Sequence, residues 1–140
     1  MDKAAENGHL CVLKWLHANR SEGCTKAAID SAARTGHLSV VEWLYANRSE
    51  RFTKAAMDGA AKNGHLNVVE WLHTKQYLGG CSKEAMDGAA KNGHLSVVKW
   101  LHANGCSEWK GSSSKAAMNR AAWNGHLSMV EWLDANRSEG

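Results

Sequence analysis

The sequence predicts an all-α solenoid of stacked helix-turn-helix pairs, and three observations carry that prediction. Gly-His-Leu occurs at Gly8, Gly36, Gly64, Gly93 and Gly125, spaced by 28, 28, 29 and 32 residues. Self-similarity at such a period marks an array of small supersecondary units rather than one mixed core. Ahead of each of the last four glycines lies an Ala-rich segment, and after each lies an apolar segment with helical spacing. Trp reaches 7 in 140 residues while Phe falls to 1 and Pro is absent, a skew expected when one motif is copied.

The first element of each unit, helix A, reads KAAIDSAAR, KAAMDGAAK, KEAMDGAAK and KAAMNRAAW in successive copies. Ala is the best helix former, and Thr25, Thr53, Ser82 and Ser114 stand 11 residues before the glycines, where a hydroxyl can cap a helix N-terminus. Asn or Thr followed by Gly supplies the stop. Paired alanines at Ala32-Ala33, Ala60-Ala61, Ala89-Ala90 and Ala121-Ala122 let neighbouring helices approach closely.

Helix B follows as LSVVEWLYANR and its variants. Leu38, Val41 and Tyr45, with Val40, Trp43 and Leu44, fall on helical spacing over three turns. Two helices of about ten residues cannot bury so wide an arc alone, so copies must stack. Trp15, Trp43, Trp71, Trp100 and Trp132 share one register and are expected to form a buried ladder in the core.

The reading is a single array over residues 1–140, with a partial repeat at 1–24 and repeats at about 25–52, 53–81, 82–113 and 114–140. Residues 1–5 align with 57–61, mid-phrase, and no polar capping repeat is seen, so a piece of a longer array is expected. Weak association through the chain ends is expected with it.

Composition bounds the function classes. Seventeen Lys and Arg against 14 Asp and Glu leave a net charge of +3, too small and mixed to argue for a nucleic-acid or membrane surface. The N-terminus lacks a basic segment followed by an apolar run, and a cytoplasmic or nuclear location is expected. Four cysteines at no CxxC spacing suit reduced thiols rather than a disulfide framework or zinc site.

Candidate chemistry weakens against the repeat. His9, His37, His65, His94 and His126 recur after the stop glycine, as a structural group would. His17, His73 and His102 share a register that also takes Tyr45 and Asp134, which a metal ligand position would not. Cys24, Cys81 and Cys106 follow a glycine near the turn after helix B, and Cys11 lies on helix B. No phosphate loop, paired-carboxylate motif, HExxH or placed Cys base is present, so neither cofactor nor catalysis is expected.

Gly-His-Leu-x-Val-Val-x-x-Leu, preceded by Ala-Ala-x-x, resembles the ankyrin repeat along the whole chain. MDGAAKNGHLSVVKWLHANGCSEW is similar to the short Trp-Leu-His variant, of about 28 residues, found in oomycete and algal arrays. The resemblance implies stacked helix pairs and a protein-binding role. The usual Thr-Pro-Leu-His opening is replaced by Ala-Ala-Met-Asp, and the period of about 33 is shortened between helix B and the next helix A, where RSEGCT and RSERFT stand. β-Hairpin fingers are therefore expected to be shortened or absent, leaving binding to the helix A side.

Copies share the fold and differ where partners are met. Helix A positions expected to face away from neighbours are Asp30, Ser31 and Arg34; Asp58, Gly59 and Lys62; Asp87, Gly88 and Lys91; then Asn119, Arg120 and Trp123. The last set breaks the pattern with Trp and Arg, the types most enriched in binding hot spots. Trp109, in the longer SEWKGSSS loop, either packs on Trp123 or joins it in an interaction surface. The expected function is non-enzymatic binding of a protein partner along the concave helix A face, with end-to-end self-association as the alternative.

Overall fold

The computed structural model describes residues 1–21, 23–75, 82–104 and 112–136. These residues form ten helices and no strand. The first helices of the five pairs are α1 (Asp2–Glu6), α3 (Lys26–Arg34), α5 (Lys54–Lys62), α7 (Lys83–Lys91) and α9 (Ser112–Trp123). The second helices are α2 (Leu10–Asn19), α4 (Leu38–Asn47), α6 (Leu66–Lys75), α8 (Leu95–Ala103) and α10 (Leu127–Ala135).

Local chemistry sets the boundaries. Thr25, Thr53 and Ser82 cap α3, α5 and α7, their hydroxyls accepting from the backbone N–H of Ala27, Ala55 and Ala85. Ser114 is not the fourth cap: α9 begins at Ser112, so Ser114 lies within the helix rather than ahead of it. Gly36 closes α3 at φ 83°. Its N–H donates to Ala33 O at 3.1 Å and that of His37 to Ala32 O at 2.9 Å, satisfying carbonyls that the helix end would leave unpaired.

The core runs through all five pairs. Ala28, Ala32 and Ala33 of α3, with their counterparts in α5 and α7, are buried, as are Leu13, Val40, Val41, Leu44, Val68, Val69, Leu72, Val97, Val98, Leu101 and Leu133 of the second helices. The row α1, α3, α5, α7, α9 packs closely from pair to pair, while the second helices stand further apart. Small side chains bring one row together and bulky ones spread the other, so the array curves with the first helices inside.

The tryptophan ladder exists, but not as core. Trp43, Trp71, Trp100 and Trp132 are half-buried, and Trp15 is 57% exposed. The Val pair and Leu of each second helix fill the interior, leaving the indole over the outer edge of the seam. There the second histidine register finds its role. The ring of His17 meets Trp43 edge-on at 5.3 Å and 87°, and His73 meets Trp100 at 5.2 Å and 86°. Tyr45 takes the same place against Trp71 at 5.3 Å, which explains why that register accepts Tyr.

Candidate partner-binding face

The inner row presents one side chain from each pair at the position of Arg34: Glu6, Arg34, Lys62, Lys91 and Trp123. Arg34 is exposed, and its Nη2 lies 2.8 Å from Glu6 Oε1. Hydrogen bonds from Lys3 and Arg34 hold the Glu6 carboxyl below its ordinary range. Lys62 and Lys91 are exposed, with no ion pair among the described residues. Asn119 and Arg120 are exposed, and Trp123 is 89% exposed. Trp109 lies outside the described residues.

The aspartates differ from expectation, because they face the next pair rather than away from it. Asp30 accepts from Thr53 twice, from the backbone N–H at 2.8 Å and from Oγ1 at 2.6 Å. Asp2 holds Thr25 in the same way at 3.0 and 2.7 Å. Asp58 accepts from Ser82 Oγ. Each aspartate thus clamps the cap of the following helix, so that the cap and the seam are one device. The fourth copy departs again. Asp87 is only 6% exposed and its Oδ1 has no hydrogen-bond partner among the described residues, while Arg120 Nη1 approaches Oδ2 at 3.5 Å. Burial raises the pKa of Asp87 and of Asp58.

Two further registers complete the seams. Thr35 donates to Glu6 O at 2.8 Å, Asn63 to Arg34 O at 2.9 Å and Asn92 to Lys62 O at 2.7 Å, each reaching back to the preceding pair. Asn124 instead donates to Arg120 O of its own helix at 2.8 Å. At Gly59 an added Cβ would come within 2.9 Å of Arg34 Cβ, and at Gly88 within 3.1 Å of Lys62 Cβ. Arg120 occupies that same register in α9. Beside it lies an open groove of about 490 Å³ lined by Lys91, Asn119, Arg120, Trp123 and Asn124.

The stop glycines seat the other histidines. A Cβ on Gly36 would stand 2.5 Å from His65 Nδ1, and one on Gly64 2.5 Å from His94 Nδ1. The imidazole of each pair lies flush on the glycine of the pair before, which explains why Gly and His recur together. Burial lowers the pKa of His65 and of His94, with neighbouring histidines adding to it.

A family model described as "Ankyrin repeats (3 copies)" matches residues 1–87 and again residues 59–138. The chain is an ankyrin-repeat protein. No curated protein matches it. Ankyrin repeats are generally protein-protein interaction modules and typically non-enzymatic. Among the described residues of this ankyrin array, no group of three or more His, Cys, Asp or Glu is placed to hold a metal ion, and no helix is long and apolar enough to cross a membrane. Cys11 is exposed; Cys24 is buried, which raises its pKa and keeps the thiol protonated. Cys81 and Cys106 lie outside the described residues.

Sequence reasoning missed the clamps, the reach-back amides and the glycine seats of the inner row. Their only signal in the sequence was periodicity, since Asp, Thr and Gly each recur at the repeat spacing without naming their partners.

Proposed function

We propose that this ankyrin-repeat chain binds a protein partner along the face formed by α3, α5, α7 and α9, with the strongest contacts at α7 and α9. The observation that carries the reading is Trp123, 89% exposed on the inner face beside the groove it shares with Lys91, Asn119 and Arg120. A large aromatic side chain exposed beside a concavity is the usual anchor of a protein contact, and burying it on a partner is worth several kcal/mol at about 25 cal/mol per Å² before ordering costs. Arg34, Lys62 and Lys91 extend the contact along the row. The aspartates act indirectly, by holding the helices in register. Capture from a lysate of the source organism tests the reading. A partner retained by the native chain and lost by both Trp123→Ala and Lys91→Glu supports it, whereas retention unchanged by either removes it.

A second reading rests on a different observation. Gly8, Gly36, Gly64 and Gly93 each carry the next pair's histidine ring, but nothing lies within 4 Å of a Cβ built on Gly125. Val12 and Trp15 are exposed at the other end. His9 of a second copy could take the Gly125 seat and extend the array head to tail, a heterologous contact able to propagate.

A further inference from the structure

Three seams of the inner row are bridged by a bond reaching back to the preceding pair, and the fourth is not. Where α5 meets α3 and α7 meets α5, a glycine at Gly59 or Gly88 lets the stem of Arg34 or Lys62 lie against the next helix, and Asn63 or Asn92 bonds back across the seam. Thr35 bonds across the first seam to Glu6 O. In α9 the glycine register holds Arg120, a side chain with no room in that packing. Its guanidinium turns to Asp87, and Asn124 bonds within its own helix. The α7–α9 seam is therefore held open along its inner edge. A hollow of about 490 Å³ lies there, and a second of about 430 Å³ runs from it across α7 to Lys62 of α5, the two sharing Lys91 and Arg120 as lining residues.

The charge along the trough has one sign in excess. Lys62, Lys83, Lys91 and Arg120 line it against Glu84 and Asp87. Asp87 is buried and paired with Arg120, while Lys62, Lys83 and Lys91 have no ion pair among the described residues. Trp123 stands at the end of the trough beyond Lys91. We propose that the opened α7–α9 seam binds an acidic peptide segment of the partner, its carboxylates on Lys62, Lys83 and Lys91 and one apolar side chain on Trp123. This rests on the protein-binding reading above and adds to it the chemistry of the partner and the place it occupies. Carboxylates complement the unpaired lysines, which are otherwise solvated, and the apolar residue covers the exposed indole.

The test uses a short fluorescein-labelled peptide of glutamates with one central leucine, followed by fluorescence anisotropy. Parallel arms carry glutamine for glutamate, lysine for glutamate, serine for leucine, and a single-stranded oligodeoxythymidine. The glutamate-leucine peptide is expected to bind at low salt and to weaken as salt rises. Lys62→Glu with Lys91→Glu should weaken it by about tenfold or more, Trp123→Ala by a similar factor, and Lys99→Glu, on the outer helix α8, by less than about twofold. Arg120→Gly should close the seam and abolish binding while the chain stays folded by circular dichroism. The proposal is overturned if glutamine serves as well as glutamate, if the lysine reversals change nothing, or if Arg120→Gly binds as the native chain does. Tighter binding of the oligonucleotide with the same lysine dependence would also overturn it, in favour of a nucleic-acid surface. A neutral or basic peptide that binds through Trp123 would overturn the acidic chemistry alone. Were no peptide of any charge to bind through Trp123, the protein-binding reading of this face would fall with it.

Discussion

His65 rests on Gly36 so closely that a Cβ on the glycine would meet the ring Nδ1 at 2.5 Å. Gly36 also sits at φ 83°, a left-handed conformation that costs an L side chain about 1–2 kcal/mol. Gly36→Ala combines that strain with overpacking and should destabilise by about 2–4 kcal/mol in urea unfolding. Gly125 has a φ of 77° but no ring above it, so Gly125→Ala should cost only about 1–2 kcal/mol. Equal costs would mean that the histidine seat contributes nothing.

The clamp makes a second contrast at one register. Asp30→Ala removes two short bonds to Thr53 and should cost about 1–2 kcal/mol. Asp87→Asn removes a buried charge whose Oδ1 is unpartnered and whose Arg120 contact is long, so stability should stay within about 0.5 kcal/mol of the native chain. Denaturant midpoints with unchanged slopes measure both. A loss at Asp87 as large as that at Asp30 would contradict the account of the open seam.

Stability should fall as pH drops below neutrality. The imidazoles of His65 and His94 have pKa values lowered from 6.5, chiefly by burial, so the folded chain favours their neutral forms. From 6.5 downward the unfolded chain holds more protons, and stability is lost as pH falls from there through the lowered folded values. The charges of neighbouring His37 and His94 push His65 the same way, and that of His126 pushes His94, while the backbone carbonyls of Arg34 and Lys62 oppose the shift. Asp58 and Asp87, raised from 3.8, work the other way: their contribution is full below 3.8 and is lost as pH rises through their folded values. A urea midpoint at pH 5.5 no lower than at pH 7.5 would contradict the buried-histidine account.

Much of this arrangement was legible in the sequence because the repeat writes it several times. The helix bounds of α3, α5 and α7 follow from hydroxyl caps and stop glycines, which act within one helix. The tryptophan ladder was legible as a register but not as an edge. Spacing shows that Trp43 shares a side with Val40, yet only packing shows that Val40, Val41 and Leu44 fill the core first. The role of Asp30 was hidden because Thr53 lies 23 residues away, across a seam. The groove was half legible: Arg120 and Trp123 stood out as departures, but that Arg120 opens the seam depends on the approach of Lys62 to Gly88.

The 140-residue chain should associate weakly at high concentration. Trp15 at 57% exposure and Leu127 at 68% leave apolar surface at opposite ends, and the Gly125 seat is open. Sedimentation velocity across a wide concentration range should show a mass average that rises with concentration, and His9→Ala should reduce the rise. A strict monomer throughout would rule out the head-to-tail reading.

The central claim is that a partner sits on the inner face at Trp123. A photoreactive benzoylphenylalanine placed at position 123, and in a second protein at position 99 on the outer helix α8, tests it most directly. Irradiation in a lysate of the source organism, followed by mass spectrometry, is expected to give a discrete protein adduct from position 123 that Lys62→Glu with Lys91→Glu suppresses, and none of comparable yield from position 99. An adduct formed equally from both positions, or from position 99 alone, would contradict the assignment of the inner face as the binding surface.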